Sequence, residues 1–171
     1  MTSYRRLYHQ GGCYFFTVNL ANRNSQLLTE HIDLLKKAFR YVKQKHPFYI
    51  DALVVLPNHL HCVWTLPEGD SNYSRRWQLI KRYFSYHLPY SPDEIHSNSR
   101  AKKAERGIWQ RRFWEHLIQN EQDYRAHIDY VHINPFKHQY VTLVRDWPYS
   151  SFHSWVKKGV YTIDWATLTE P

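Results

Sequence analysis

The sequence predicts an α+β fold with the ferredoxin-like split βαβ order: a central antiparallel sheet, then a further helix and a tail. Three observations carry this. Runs rich in β-branched and aromatic residues alternate with helical repeats in the order β-α-β-β-α, ahead of one more strand. Only Pro57 and Asn58 separate the second strand from the third, a break that suits an antiparallel hairpin. The chain has 171 residues, enough for one domain over residues 1–171 with a core that needs no disulfide staples.

Each element has its own local cause. Gly11-Gly12 opens CYFFTVNLANR, which reads as a strand from about Tyr14 to Leu20. A helix follows from about His31 to His46, because Ile32, Leu35, Phe39 and Val42 recur at helical spacing. Lys43, Lys45 and His46 suit its last turn, and Pro47 ends it. FYIDALVVLP and HLHCVWTLP read as the second and third strands, stopped at Pro57 and Pro67. A second helix, about Ser74 to Leu88, has Trp77, Ile80, Phe84 and Leu88 as its apolar stripe. The polar, basic and aperiodic segment 89–107 is expected to be a flexible loop. The last core strand is expected near Gly107 to Phe113. A third helix is expected from about Glu121 to Asn134, capped by Asn120 and stopped by Pro135. The tail, about 136–171, is aromatic without clear periodicity.

Composition narrows the function. Lys and Arg total 23 against 15 acidic residues, a net charge of +8, and 17% of the chain is aromatic, including 7 Trp and 14 Tyr. Cationic groups with many flat rings suit a polyanion that carries stackable bases. The two cysteines, Cys13 and Cys62, make no disulfide framework, so a reduced, cytoplasmic setting is expected. There is no signal-peptide h-region and no apolar run long enough to span a membrane.

The stretch NHLHCVW places His59 and His61 at i and i+2 of a strand, so both stand on one face, with Leu60 and Cys62 on the other. Two neutral imidazoles on neighbouring positions make half of a metal site with open coordination. Read alone, they are equally two surface histidines. Cys62 points the wrong way to join them. In DYRAHIDYVHINP, helical spacing puts Asp123, His127, Tyr130 and Asn134 on one face. If that face meets the His59/His61 strand, Asn134 is a third ligand and Tyr130 a nucleophile beside the metal. His127, one turn back, is a candidate proton acceptor.

These residues resemble a known family. The H-hydrophobic-H element followed by a helix bearing Tyr130 and Asn134 looks like the HUH single-tyrosine (Y1) transposases of the IS200/IS605 type. The longer blocks YRRLYHQGGCYFFTVNLANR, LVVLPNHLHCVWTLPEGD, WQRRFWEH, DYRAHIDYVHINPFKH and DWPYSSFH resemble the REP-associated tyrosine transposases, from Tyr4 to about Trp165, with no matching motif over Ser91 to Arg106. The resemblance implies the HUH endonuclease fold and a divalent cofactor, Mg²⁺ or Mn²⁺. It implies single-stranded DNA with a hairpin of REP or BIME type and a GTAG-like foot as the partner. The implied reaction is metal-dependent cutting and rejoining through a 5′-phosphotyrosine on Tyr130. A free phenol has a pKa near 10, so such a nucleophile needs activation. A bacterial, nucleoid-associated monomer is expected, with a dimer as the alternative, since mobile IS200-type relatives are dimers. Candidate DNA contacts are Arg5, Arg6, Arg75, Arg76, Lys81, Arg82, Trp109, Arg111 and Arg112. The rivals are a non-catalytic REP-hairpin-binding protein on the same fold, a phosphoesterase in which water attacks, and a two-tyrosine enzyme using Tyr124. The last is disfavoured, because Tyr124 lies six residues from Tyr130 and turns well away on a helix.

Overall fold

Alternation along β1 (Cys13–Asn19) sends Tyr14, Phe16 and Val18 to one side of a sheet and Phe15 and Thr17 to the other. The structure, a computed structural model, describes residues 5–166. Strands β2 (Tyr49–Val55), β3 (His59–Thr65) and β4 (Trp114–Leu117) complete a sheet in the order β2-β3-β1-β4. Every neighbouring pair is antiparallel. This is the ferredoxin-like arrangement that the sequence predicts. A short helix, α1 (Leu27–Glu30), precedes α2 (Ile32–Lys45), and α3 (Tyr73–His87) follows β3.

Helices α2 and α3 cover one face of the sheet. Tyr14, Phe16 and Val18 meet Leu60, Cys62 and Trp64 there, all fully buried. The Trp64 and Trp77 rings stack at 4.3 Å. Each such side chain removed from water contributes about 1.5–3 kcal/mol. The other face carries Phe15, Ala52, Val54 and Val63, covered by Ile128 and Val131 of α5 (Glu121–Lys137). Helix α5 packs on β2 and β3.

Three expectations need correction. The fourth strand lies at Trp114–Leu117, later than Gly107 to Phe113. Trp109 makes only an isolated bridge to Leu20, and the ladder with β1 begins where Trp114 meets Thr17. Helix α5 does not stop at Pro135 but continues to Lys137. A proline removes its own N–H bond, yet its carbonyl still accepts, here from Tyr140 N–H at 2.9 Å. The segment 89–107 holds a short helix, α4 (Asn98–Lys102), and is fastened to its surroundings. Arg106 pairs with Glu94 and donates to Leu88 O at 2.6 Å. Gly107 lies so close to Ile95 that a Cβ there would sit 1.8 Å from the Ile95 carbonyl oxygen.

The tail has structure too. After a 3-10 turn (Val144–Asp146) comes α6 (Phe152–Lys157). Tyr149 and Ser151 cap the exposed edge of β2, with Val55 N–H donating to Tyr149 O at 2.9 Å and Ser151 N–H to Leu53 O at 2.8 Å. That blunts an edge otherwise open to strand pairing. His132 of α5 bonds through Nε2 to Ser151 Oγ at 2.7 Å and through Nδ1 to Tyr161 OH at 3.2 Å, and so ties the tail to the helix.

Candidate active site

The register of β1 against β3 sets Thr17 opposite His61 and Asn19 opposite His59. His61 Nδ1 therefore meets Thr17 Oγ1 at 2.8 Å. His59 Nδ1 donates to Asn58 Oδ1 at 2.6 Å. With each Nδ1 engaged, the tautomer protonated there leaves its Nε2 lone pair for another partner. The rings are 5.0 Å apart and nearly perpendicular. Burial pushes His59 down to about 4, helped by the nearby His138. Burial, with repulsion from His59, pushes His61 down to about 3. Both are therefore neutral at pH 7, the form that binds metal.

Helix α5 brings the second half. Its Asn120 cap accepts from Asp123 N–H at 2.9 Å, and Asp51 anchors the helix to β2 by accepting from Tyr124 OH at 2.8 Å. Tyr124 thus faces the sheet edge, away from Tyr130. The Tyr130 ring lies 5.3 Å from that of His61, edge-on, while Phe15 touches both. Asn134, fully buried, donates from Nδ2 to Tyr130 O at 2.5 Å. Its Oδ1 and His61 Nε2 are both buried without a well-formed hydrogen bond, and each lies within the other's reach. Asn134 is close enough to His61 to favour a proton on it, though burial prevails. A neutral His61 carries one ring proton: on Nε2 it pairs with Asn134 Oδ1, and on Nδ1 it leaves two facing acceptors that suit a cation. The donors His59, His61 and Asn134 therefore fit a divalent cation.

Sequence reasoning missed several neighbours. Thr17 and Asn58 orient the two histidines. Lys137 places its ammonium 4.9 Å from the Tyr130 ring centroid. His138 sits 5.2 Å from the His59 ring. These last two come into reach because α5 runs through Pro135, and the proline was the very signal that hid them.

His127 is placed beside the site with its Nδ1 engaged by Asp123, 2.8 Å from the backbone oxygen and 3.0 Å from Oδ1. A proton-acceptor role would fall to Nε2 alone. Asp123 also accepts from His116 Nε2 and from Gln119 N–H, each at 2.8 Å. Burial works against the Asp123 carboxylate, but these bonds hold it below the ordinary range.

The candidate DNA contacts divide. Lys81, Arg82, Trp109 and Arg111 line a groove of about 810 Å³ between α3 and the segment that follows α4. Lys81 donates to Gln110 O at 2.9 Å, and burial, with Arg6 nearby, lowers it to about 8. Trp109 is almost buried and packs edge-on against Phe84. Arg5, Arg75 and Arg112 are exposed. Arg6 lies over Phe113 and pairs with Glu115 at 2.6 Å. Arg76 is a correction: it is 3% exposed, and its guanidinium holds Asp70, His46 O and Pro47 O. It clamps the end of α2 to α3 and is closed to phosphate.

A His-x-His strand facing a tyrosine helix, on a ferredoxin-like antiparallel sheet, defines the class of HUH single-tyrosine transposases. Comparison with known proteins narrows this. No family model matches the chain. It is 51% identical over 166 residues to the REP-associated tyrosine transposase of Escherichia coli (strain K12), covering 97% of this chain and 92% of that one. It is 45% identical over 165 residues to a Haemophilus influenzae protein of the same family name, covering 96% and 93%. A solved structure of such a transposase bound to a REP hairpin superposes with a TM-score of 0.83 at 49% identity, over 100% of this chain and 94% of the other. The chain belongs to the REP-associated tyrosine transposases.

Proposed function

We propose that the protein cuts and rejoins single-stranded DNA at REP-type hairpins through a covalent tyrosine intermediate. The observation that supports this best is the meeting of Tyr130 and Asn134 of α5 with His61 of β3, the Tyr130 and His61 rings 5.3 Å apart. His59, His61 and Asn134 would hold Mg²⁺ or Mn²⁺. When bound, the cation polarises the scissile phosphate and offsets its developing charge. Tyr130 Oη bonds to phosphorus, the bond from phosphorus to the 3′-oxygen breaks, and that oxygen leaves as a 3′-OH. The phenol proton passes to water, which reaches the 36% exposed Tyr130. The phosphodiester energy is kept in the 5′-phosphotyrosine, so the reverse attack by a 3′-OH rejoins the strand without ATP. Lys137, its ammonium 4.9 Å from the Tyr130 ring, would add positive charge beside the attacking phenol.

The groove with Lys81, Arg82, Trp109 and Arg111 suits the DNA backbone and an unpaired base at the hairpin foot. Among the described residues, no helix is long and apolar enough to cross a membrane. A monomer acting on chromosomal DNA in the bacterial cytoplasm is the proposed setting.

The test is a denaturing gel of labelled single-stranded hairpin DNA with a GTAG-like foot, mixed with protein and Mn²⁺. Wild type should give a protein–DNA band that survives SDS, and Tyr130→Phe should abolish both band and cleavage. Cleavage without the band would point to water attack. Hairpin binding with neither would leave a DNA-binding protein only.

A further inference from the structure

We propose that His116, Asp123 and His127 form a second cation site, separate from His59, His61 and Asn134, that takes a transition metal such as Zn²⁺. One donor atom from each of the three lies within 4.8 Å of the others. His116 comes from β4, while Asp123 and His127 are one turn apart on α5. Both imidazoles turn a nitrogen to the same carboxylate: His116 Nε2 lies 2.8 Å from Oδ2 and His127 Nδ1 lies 3.0 Å from Oδ1. Ligands on a tetrahedral zinc, each about 2.0–2.1 Å from the metal, are about 3.3 Å apart. Ligation requires His127 Nδ1 to release the Asp123 backbone carbonyl at 2.8 Å and the two imidazoles, stacked 4.6 Å apart at 17°, to turn toward a common point.

Two nitrogens and one carboxylate oxygen select a borderline metal over Mg²⁺, which prefers oxygen ligands. The side chains are 35%, 19% and 24% exposed, so the site keeps an open side for entry and for a fourth ligand. The cation would replace the protons held between the imidazoles and Asp123. With His127 ligated through Nδ1, its Nε2 carries the ring proton and cannot act as a base, which agrees with water as the acceptor for Tyr130. The site would join β4 to the helix that carries Tyr130. Phe15 touches His127 at 4.9 Å and both Tyr130 and His61 at 5.7 Å, so the second site shares a wall with the first.

The experiment is Zn²⁺ titration of the metal-free, full-length protein by calorimetry, with Co²⁺ absorption reporting ligand geometry. Wild type should bind two equivalents. His59→Ala combined with His61→Ala should keep one, with a tetrahedral Co²⁺ spectrum. Asp123→Asn should lose that one, and so should His116→Phe, which keeps the stack on His127 if Asp123→Asn disturbs the helix start. Two equivalents surviving both Asp123→Asn and His116→Phe would overturn the proposal, as would none left in the double histidine variant. Metal equivalents are read without cleavage, so this inference can fail while the tyrosine reading stands.

Discussion

The two faces of β3 are built from seven consecutive residues, and both pack under helices, but only one carries groups fit for chemistry. Leu60, Cys62 and Trp64 are sealed against α2 and α3, where packing satisfies them. The indole N–H groups of Trp64 and Trp77 lack partners, but they belong to rings that stack. On the opposite face, His59 and His61 look toward α5. There His61 Nε2 and Asn134 Oδ1 meet from two elements, a pair that one proton or a cation completes. An unbonded indole N–H has a cost that ring packing must outweigh, whereas the His61–Asn134 pair is completed by a proton or a cation. One face is closed entirely by packing, while the other packs Val63 under α5 and turns His59 and His61 to chemistry.

The sharpest way to break this contrast is to mutate one residue on each face. His61→Ala should slow cleavage by about 10³-fold, roughly 4 kcal/mol of barrier, while its thermal midpoint stays close to wild type. Trp64→Ala should lower unfolding stability by about 3–5 kcal/mol and leave cleavage per folded molecule unchanged. Urea titration and single-turnover cleavage, run on both variants, separate the two. Equal stability losses would erase the distinction.

A second test concerns His132, buried where α5 meets the tail. Burial lowers it from an ordinary 6.5 to about 4. The folded protein holds it neutral, and the unfolded chain takes up a proton below about pH 6.5. Its contribution is therefore complete above pH 6.5, declines as pH falls to about 4, and is flat below that. The full change is about 3 kcal/mol. The stability gap between wild type and His132→Gln, measured by chemical denaturation, should narrow by that amount from pH 7 to pH 4. A gap independent of pH would mean that His132 is not held neutral.

Smaller effects refine the active face. Lys137→Met should slow strand cleavage about 10-fold, near 1.4 kcal/mol, with little change in hairpin affinity. A change in affinity alone would make Lys137 a binding residue. Arg82→Gln should leave stability within about 0.5 kcal/mol and reduce the salt dependence of hairpin binding by about one phosphate contact. An unchanged salt slope would take the groove beside α3 out of the DNA path.

Local physics explains what could be read from residues alone. Strand and helix identity follow from periodicity, and the face shared by His59 and His61 follows from the two-residue repeat of a strand. The Asn120 cap was legible because a side chain that accepts the first free N–H groups is a local device. The helix end at Pro135 was misread for the same reason. A lone proline forbids one bond, and burial of Asn134 and Pro135 outweighs it. Arg76 looked like one of a basic pair, because no sequence pattern shows that Asp70 and two carbonyls surround it. The cluster of His116, Asp123 and His127 was equally hidden, since one of its members comes from β4.

The sequence by itself determined the order of elements, the dry face of β3, the histidine pair and, through resemblance over most of the chain, the family. Its periodicities and its motif blocks are short-range, and short-range information survives without coordinates. Only the tertiary structure decided which side chains converge. It brought Asn134 to His61, and His127 with Asp123 to His116, and it turned Arg76 inward. Those pairings depend on how α5 lies across the sheet, and that is set by the burial of Ile128 and Val131 against Phe15 and Val63.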